Sequence, residues 1–372
     1  MTAAAPTPPF RPRAVLVTGG AGFIGARLVR WLLREVPDVH VVTLDALTYA
    51  GRRDRLAGCD DARDADDLPR HRFVRGDVRD AALVARLLAG ERDADGPLPL
   101  PDAVVHLAAE THVDRSIIGP GEFVSTNVQG TQVLLDAARR ELDRRPRPFR
   151  FVHVSTDEVY GALEADEAPF TEEHPLLPNS PYAASKAGAD CLVRAYVRTY
   201  GLPCVVVRPS NSYGPYQFPE KLVPLMATRA LRELPLPVYG DGLHVREWLH
   251  VDDTAQAIWA ACVRGSAAGR VYNVGGGPAS AVANLALVRA VLAELGKPES
   301  LIRFVADRPG HDRRYALDVS RATAELGWAP RRTLAEGLRE TVRWYADHPE
   351  WWEGADGEAY RAARALYLGA GE

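Results

Sequence analysis

The sequence predicts an α/β fold, a doubly wound parallel sheet with a smaller C-terminal lobe. Three observations carry that prediction. Short apolar runs alternate with amphipathic stretches through the first half of the chain, the pattern of βαβ units. A glycine-rich string, Val17-Thr18-Gly19-Gly20-Ala21-Gly22-Phe23-Ile24-Gly25, joins the first run to the first amphipathic stretch. After Pro209 the alternation stops, and Pro, Gly and aromatic residues crowd 213–219 and 235–242.

Residues 14–18, 40–44, 72–75, 103–108, 151–155 and 204–208 read as strands. The helical patterns between them cover 22–35, 80–88, 122–142 and 182–200. Two inserts interrupt the alternation. Residues 58–70 carry Asp60, Asp61, Asp64, Asp66 and Asp67, and 91–101 are rich in Asp, Pro and Gly. Both are expected to be solvated surface loops. Residues 13–208 are expected to form the sheet domain, with 247–278 returning to it. Residues 209–246 and 279–360 form the lobe. A ligand belongs between the lobe and the carboxyl ends of the strands.

Composition narrows the function classes. The chain has 372 residues, 47% hydrophobic and 25% charged, with a net charge of −4. Nothing in that balance points to nucleic acid. Lysine occurs only at Lys186, Lys221 and Lys297, while arginine is abundant, so a lysine placed within a motif is informative. Cys59, Cys191, Cys204 and Cys262 form no CxxC pair, which argues against a metal site or a disulfide framework. Reduced thiols and a cytoplasmic location are expected. Residues 1–12 lack an apolar core segment and read as a disordered tail, neither signal peptide nor membrane span. No apolar run is long enough for a membrane helix.

The glycine string fits both GxxGxxG and GxGxxG. Its glycines permit a tight turn and close approach of backbone to a pyrophosphate at a helix N-terminus. Asp45 closes the second strand twenty residues past Gly25. A carboxylate there accepts a ribose 2′-OH and repels a 2′-phosphate, favouring NAD over NADP. Arg52 and Arg53 pull the other way. Together these make the sheet Rossmann-type. Gly76-Asp77-Val78 is placed either to meet the adenine edge or to cap a helix. Leu107-Ala108-Ala109-Glu110 offers small residues over which a nucleotide can lie, or simple packing.

Two further motifs carry chemistry. Ser155-Thr156-Asp157-Glu158 ends the fifth strand, and two adjacent carboxylates at a strand tip are costly unless solvated or used. Like charges split their pKa values, which suits one acid and one base. Tyr182-Ala183-Ala184-Ser185-Lys186 places Tyr182 and Lys186 four apart, on one helix face. An ammonium favours the phenolate, so Tyr182 is expected to act as a base, its pKa lowered by Lys186. His153, mid-strand, reads as a core histidine. Asp114 and Arg115 near His112 fit an ion pair or a site equally well.

With these residues in hand, the chain resembles the extended short-chain dehydrogenase/reductases and, within them, the dTDP-glucose 4,6-dehydratases. The quoted motifs include VTGGAGFIG, DALTYAG, GDVRD, HLAAETHVDRSI, TNVQGT, VSTDEVYG, SPYAASKA, SNSYGPYQFPEKLVP and DRPGHDRRYALD, and the likeness spans about 13–345. The Thr-Asp-Glu triplet is its specific part, since epimerases of the superfamily carry small or hydroxyl residues at the carboxylate positions. One departure is Asn211-Ser212-Tyr213, where the family usually has Asn-Asn-Tyr.

The resemblance implies that Gly19, Gly22, Phe23, Ile24, Gly25, Asp45, Thr48, Asp77, Val78, Leu107, Ala109, Thr126, Tyr182 and Lys186 touch NAD. It implies that Thr111, Thr156, Asn211, Glu220, Lys221, Leu222, Arg246, Asn273 and His311 touch a sugar nucleotide, with Arg313 or Arg314 as further diphosphate partners. Thr156, Asp157, Glu158, Tyr182 and Lys186 would be catalytic. The implied reaction oxidises C4, eliminates water across C5 and C6, and returns hydride to C6. The partners implied are a nucleotide sugar, with dTDP-glucose or a uridine analogue open, and a second copy of the chain through the 122–142 and 182–200 helices. A 4-epimerase or a uronic acid decarboxylase is the competing reading, because both need the Tyr and Lys but not the Asp-Glu pair.

Overall fold

The computed structural model describes residues 9–93 and 96–353. Six parallel strands run in the expected order. They are β1 (Ala14–Thr18), β2 (His40–Asp45), β3 (His71–Arg75), β4 (Ala103–His106), β5 (Arg150–Val154) and β6 (Cys204–Pro209). The helices between them are α1 (Phe23–Glu35), α2 (Ala81–Leu88), α3 (Val113–Ile118), α4 (Pro120–Phe123), α5 (Gly130–Arg144) and α6 (Pro181–Tyr200). The lobe region adds β7 (Asn211–Tyr213), α7 (Leu222–Leu231), β8 (Leu236–Tyr239), β9 (Val245–His250), α8 (Val251–Arg264) and β10 (Ala268–Val274). It ends with β11 (Ala281–Ala283), α9 (Asn284–Leu295), β12 (Ile302–Val305), α10 (Leu334–Asp347) and α11 (Pro349–Glu353).

The main sheet has the order β10-β6-β5-β4-β1-β2-β3, and every neighbouring pair in it is parallel. Its strands are buried on both faces, which is why they read as continuous apolar runs. Side chains alternate between two cores. Val15, Val17, Val105 and Val205 join Leu28 and Leu32 of α1 and Ile258 of α8. Leu16, Val104 and Phe151 face Leu134 of α5 and Val193 of α6. The strand order reverses between β1 and β4, opening a crevice at their carboxyl ends. That crevice receives the loops after β1, β2, β4 and β5.

The lobe is built on a β11-β9-β7 sheet and a β12-β8 pair, with Val223, Met226, Val288, Val291, Val342 and Tyr345 in its core. The expected boundaries shift in places. Within 247–278, most of β9 stays with the lobe sheet, whereas α8 and β10 complete the main one. Ala322, Leu326 and Trp328 also pack into the main core, so 279–360 is not one block of lobe. Within the expected tail, Phe10 is docked. Its N–H donates to the Val263 carbonyl at 2.8 Å, and its ring lies under the Arg150 guanidinium. Residues 1–8 and 354–360 lie outside the described residues.

The 122–142 helix is interrupted by a π turn over Val124–Gln129, a feature common at functional sites. It sets Asn127 to bind the Glu110 backbone in both directions, at 2.9 and 3.0 Å, and to donate to Ser185 Oγ at 2.8 Å. Asn127 thereby ties the loop after β4 to α6, one residue before Lys186. The acidic insert is less purely solvated than expected. Asp60 accepts from the buried His71 ring at 2.7 Å and pairs with Arg53.

Candidate active site

The glycine turn after β1 is closed by contact. A Cβ on Gly25 would lie 2.2 Å from the Gly19 carbonyl oxygen, and one on Gly19 would lie 2.6 Å from the Ala108 nitrogen. Gly19 has φ of +70°, a region that favours glycine. The turn thus packs against the loop after β4 with no side chain between. The Asp45 carboxylate accepts the N–H groups of Ala21 at 2.9 Å and Leu47 at 2.8 Å. Burial raises its pKa, and these two bonds pull it back.

A cavity of about 340 Å³ opens at this point. Gly19, Gly22, Phe23, Ile24, Gly25, Asp45, Thr48, Asp77, Val78, Leu107, Ala109, Thr126, Tyr182 and Lys186 all line it. Side-chain-free backbone at a helix N-terminus, with a carboxylate at the end of β2, fits a dinucleotide. Arg52 is held by Asp54 and the Trp351 carbonyl, and Arg53 by Asp60. The arginines that argued for a 2′-phosphate are therefore engaged elsewhere. Asp77 is paired with Arg79 at 2.7 Å, and it is Asp80 that caps α2.

A second cavity, about 160 Å³, lies under the lobe. Thr111, Glu158, Asn211, Glu220 and Lys221 line both, so the cavities meet at these residues. Leu222, Arg246 and His311 line the second one. Asn273 lines neither. Its side chain accepts from Tyr160 at 2.7 Å and donates to the Phe170 carbonyl at 2.9 Å. Arg313 pairs with exposed Asp241, and Arg314 bonds the Glu164 and Glu167 carbonyls. The arginine that does join Arg246 at the cavity is Arg308, which the sequence reading missed.

The acid–base groups gather where the cavities meet. Tyr182 and Lys186 occupy the first turns of α6, started by the Ser180 cap and Pro181. Thr156, Asp157 and Glu158 follow β5. Asp157 is 1% exposed. Its Oδ1 accepts from the Thr156 hydroxyl at 3.2 Å, and its Oδ2 has no partner among the described residues. Burial, then the carboxylates of Glu158 and Glu247, hold it well above the usual carboxylate range. Burial also raises Glu158, but Arg308, Arg246 and Lys221 pull it back. Asp157 is accordingly the proton holder of the pair, and Glu158 the member nearer to ionisation.

The Tyr182–Lys186 expectation needs correction. The Lys186 ammonium donates to the Val154 carbonyl at 2.7 Å, and burial lowers its pKa to about 8. Burial, Glu158 and Asp157 push the Tyr182 phenol up, and the Thr156 hydroxyl supplies the downward pull. In the protein alone Tyr182 is thus no ready base. His153 is a core residue, 3.2 Å from Asp190. His112 and Asp114 line the second cavity, while Arg115 stacks on Tyr49. Ser212 lines the first cavity and shares a hydrogen bond with Thr254 at 2.9 Å.

Comparison with known proteins gives consistent results. The family model for GDP-mannose 4,6 dehydratase matches residues 16–341. The dTDP-glucose 4,6-dehydratase of Neisseria meningitidis serogroup B is 48% identical over 97% of this chain and 100% of its own length. One from Streptomyces griseus is 51% identical over 91% of this chain and 96% of its own. Among solved structures, the dTDP-glucose 4,6-dehydratase DesIV of Streptomyces venezuelae, with NAD bound, superposes with a TM-score of 0.82. It is 50% identical and covers 92% of this chain and 100% of that one. A UDP-glucose 4-epimerase of Thermus thermophilus in complex with NAD superposes at 0.77 with 33% identity, over 90% of this chain and 99% of that one.

Proposed function

The chain belongs to the dTDP-glucose 4,6-dehydratases, within the wider family of the GDP-mannose 4,6 dehydratase model, and from that membership we propose how its residues work. It is an NAD-dependent hydro-lyase that converts dTDP-glucose to dTDP-4-keto-6-deoxyglucose. The observation that carries this reading is the Asp157–Glu158 pair. These two carboxylates differ in their electrostatic surroundings; both line the first cavity, and Glu158 stands where the two cavities meet.

An unactivated C5–H is too weak an acid for a carboxylate, so C4 must become a ketone first. NAD held by the glycine turn and Asp45 would supply the acceptor for the C4 hydride and its donor for C6, and its oxidised form would add positive charge to the cavity that Tyr182 lines. Tyr182 accepts the C4 hydroxyl proton, and Thr156 donates a hydrogen bond to the C4 oxygen. Lys186, anchored on the Val154 carbonyl, holds cationic charge on the same wall. Glu158 removes the C5 proton, and Asp157 gives its proton to the C6 oxygen, which leaves as water. Reprotonation of C5 completes a redox-neutral cycle. Gly19, Gly22, Phe23, Ile24, Gly25, Asp45, Thr48, Asp77, Val78, Leu107, Ala109 and Thr126 hold the cofactor. Thr111, Asn211, Glu220, Lys221, Leu222, Arg246 and His311 hold the sugar nucleotide, joined by Arg308.

The test is a panel of dTDP-, UDP- and GDP-hexoses read by mass spectrometry. Dehydration of dTDP-glucose lowers the product mass by one water. An isomeric product of unchanged mass would select the epimerase reading. Tyr182→Phe should stall the reaction before any reduced cofactor absorbs, lowering turnover by about 10²–10⁴-fold. Reduction at the native rate in that variant would remove Tyr182 from the oxidation. We also infer a homodimer through the 122–142 and 182–200 helices, where Val124 of the π turn and Tyr200 of α6 expose apolar surface. Four free cysteines suit a cytoplasmic setting.

A further inference from the structure

Arg55 is a buried cation that the mechanism does not use. It is 2% exposed and lines the cofactor cavity with Asp45; burial lowers its pKa to about 10, against the pull of Tyr345, Asp54 and Asp45 towards the charged form. Its Nε donates to the Tyr216 carbonyl at 3.1 Å. Its Nη1 donates to the Ala21 carbonyl at 3.0 Å and to the Ala50 carbonyl. Those acceptors belong to the lobe region, the glycine turn and the loop after β2. Its Nη2 is buried and has no acceptor among the described residues. An unpaired buried guanidinium N–H is costly, and such groups normally find a partner.

The indole of Trp351, on α11, is close to two arginine side chains. The Arg52 and Arg55 guanidinium carbons lie 3.6 and 5.2 Å from its ring centroid. Arg52 also bonds the Trp351 carbonyl at 2.9 Å, while its own N–H bonds Ala21 at 3.0 Å. The last described helix is therefore fastened to the glycine turn through two arginines.

We propose that Arg55 Nη2 donates to an oxygen of the adenosine-diphosphate half of NAD, and that Trp351 positions the guanidinium for it. The placement follows from Asp45, the ribose-binding carboxylate in the reading above, on which this inference rests. The pair would slow cofactor release, which suits a cycle that ends with NAD in the state in which it began.

Arg55→Met removes the donors and keeps an unbranched chain. NAD release, followed as cofactor retained after gel filtration, should accelerate by about tenfold to a hundredfold. Binding of ADP-ribose should weaken by the same factor, and binding of nicotinamide mononucleotide should not change. Unchanged release, or equal losses for both fragments, would overturn the proposal. If Arg55→Met fails to fold by circular dichroism, Trp351→Leu takes its place. That variant should show the same selective loss at about threefold to tenfold, and unchanged release would again overturn it. A native chain that holds no NAD overturns the cofactor reading beneath as well.

Discussion

Glu158→Gln should abolish deuterium incorporation at C5 of the sugar while the oxidation at C4 still registers in the absorbance of the reduced cofactor. Turnover should fall by about 10²–10⁴-fold, the usual worth of one general base. The substitution preserves size and removes only the ability to hold a proton. Glu158, like Glu220, lines both cavities, and three cations stabilise its ionised form. Those are the conditions a base needs to reach a proton on a ligand in the second cavity. Solvent exchange followed by mass spectrometry is the check, and normal exchange in the variant would assign C5 to another group.

Asp157→Asn should produce the opposite pair of changes, a dead enzyme and a more stable fold. Turnover should fall by about 10²–10⁴-fold because Asn has no proton to give the leaving oxygen. The stability effect follows from linkage. Asp157 ionises in the unfolded chain near its ordinary value of about 3.8, but in the folded protein only well above it. The folded state therefore binds more protons than the unfolded state above that pH. Asp157 costs stability there, and the cost grows as pH rises towards the folded value. Asn carries no such cost and still offers an oxygen to the Thr156 hydroxyl. The melting temperature of Asp157→Asn should exceed that of the native protein at pH 7, with the gap shrinking as pH falls towards about 4. Equal or lower melting at pH 7 would show that the carboxylate is not held neutral by its surroundings.

Much of the site was legible because its chemistry is local in sequence. The glycine string, Asp45, and the Asp157–Glu158 neighbours lie within short segments whose spacing maps onto a turn, a strand end or a loop. Arg308 and Arg55 were not legible. In a chain rich in arginine, nothing in sequence separates two cavity-facing guanidinium groups from those on the surface. Asn127 sat inside a quoted motif, yet its role depends on a π turn that helical periodicity does not report. Asn273 was assigned to the substrate by resemblance, and its bonds to Tyr160 and Phe170 were not visible in the sequence. Lys186 and Tyr182 share a helix face as their spacing required. Their spacing did not report that the Lys186 ammonium also donates to the Val154 carbonyl.

Sequence alone determined the parallel sheet, the dinucleotide turn and the candidate acid–base residues, because each is written in periodicity or in short spacings. The tertiary structure decided which carboxylate keeps the proton. Asp157 and Glu158 are equivalent as neighbours in a chain. Glu247 of β9 raises one, and Arg246, Arg308 and Lys221 restrain the other. Those groups come from segments distant in sequence. Their effects depend on separation in space and on loss of water, and only the folded chain sets either.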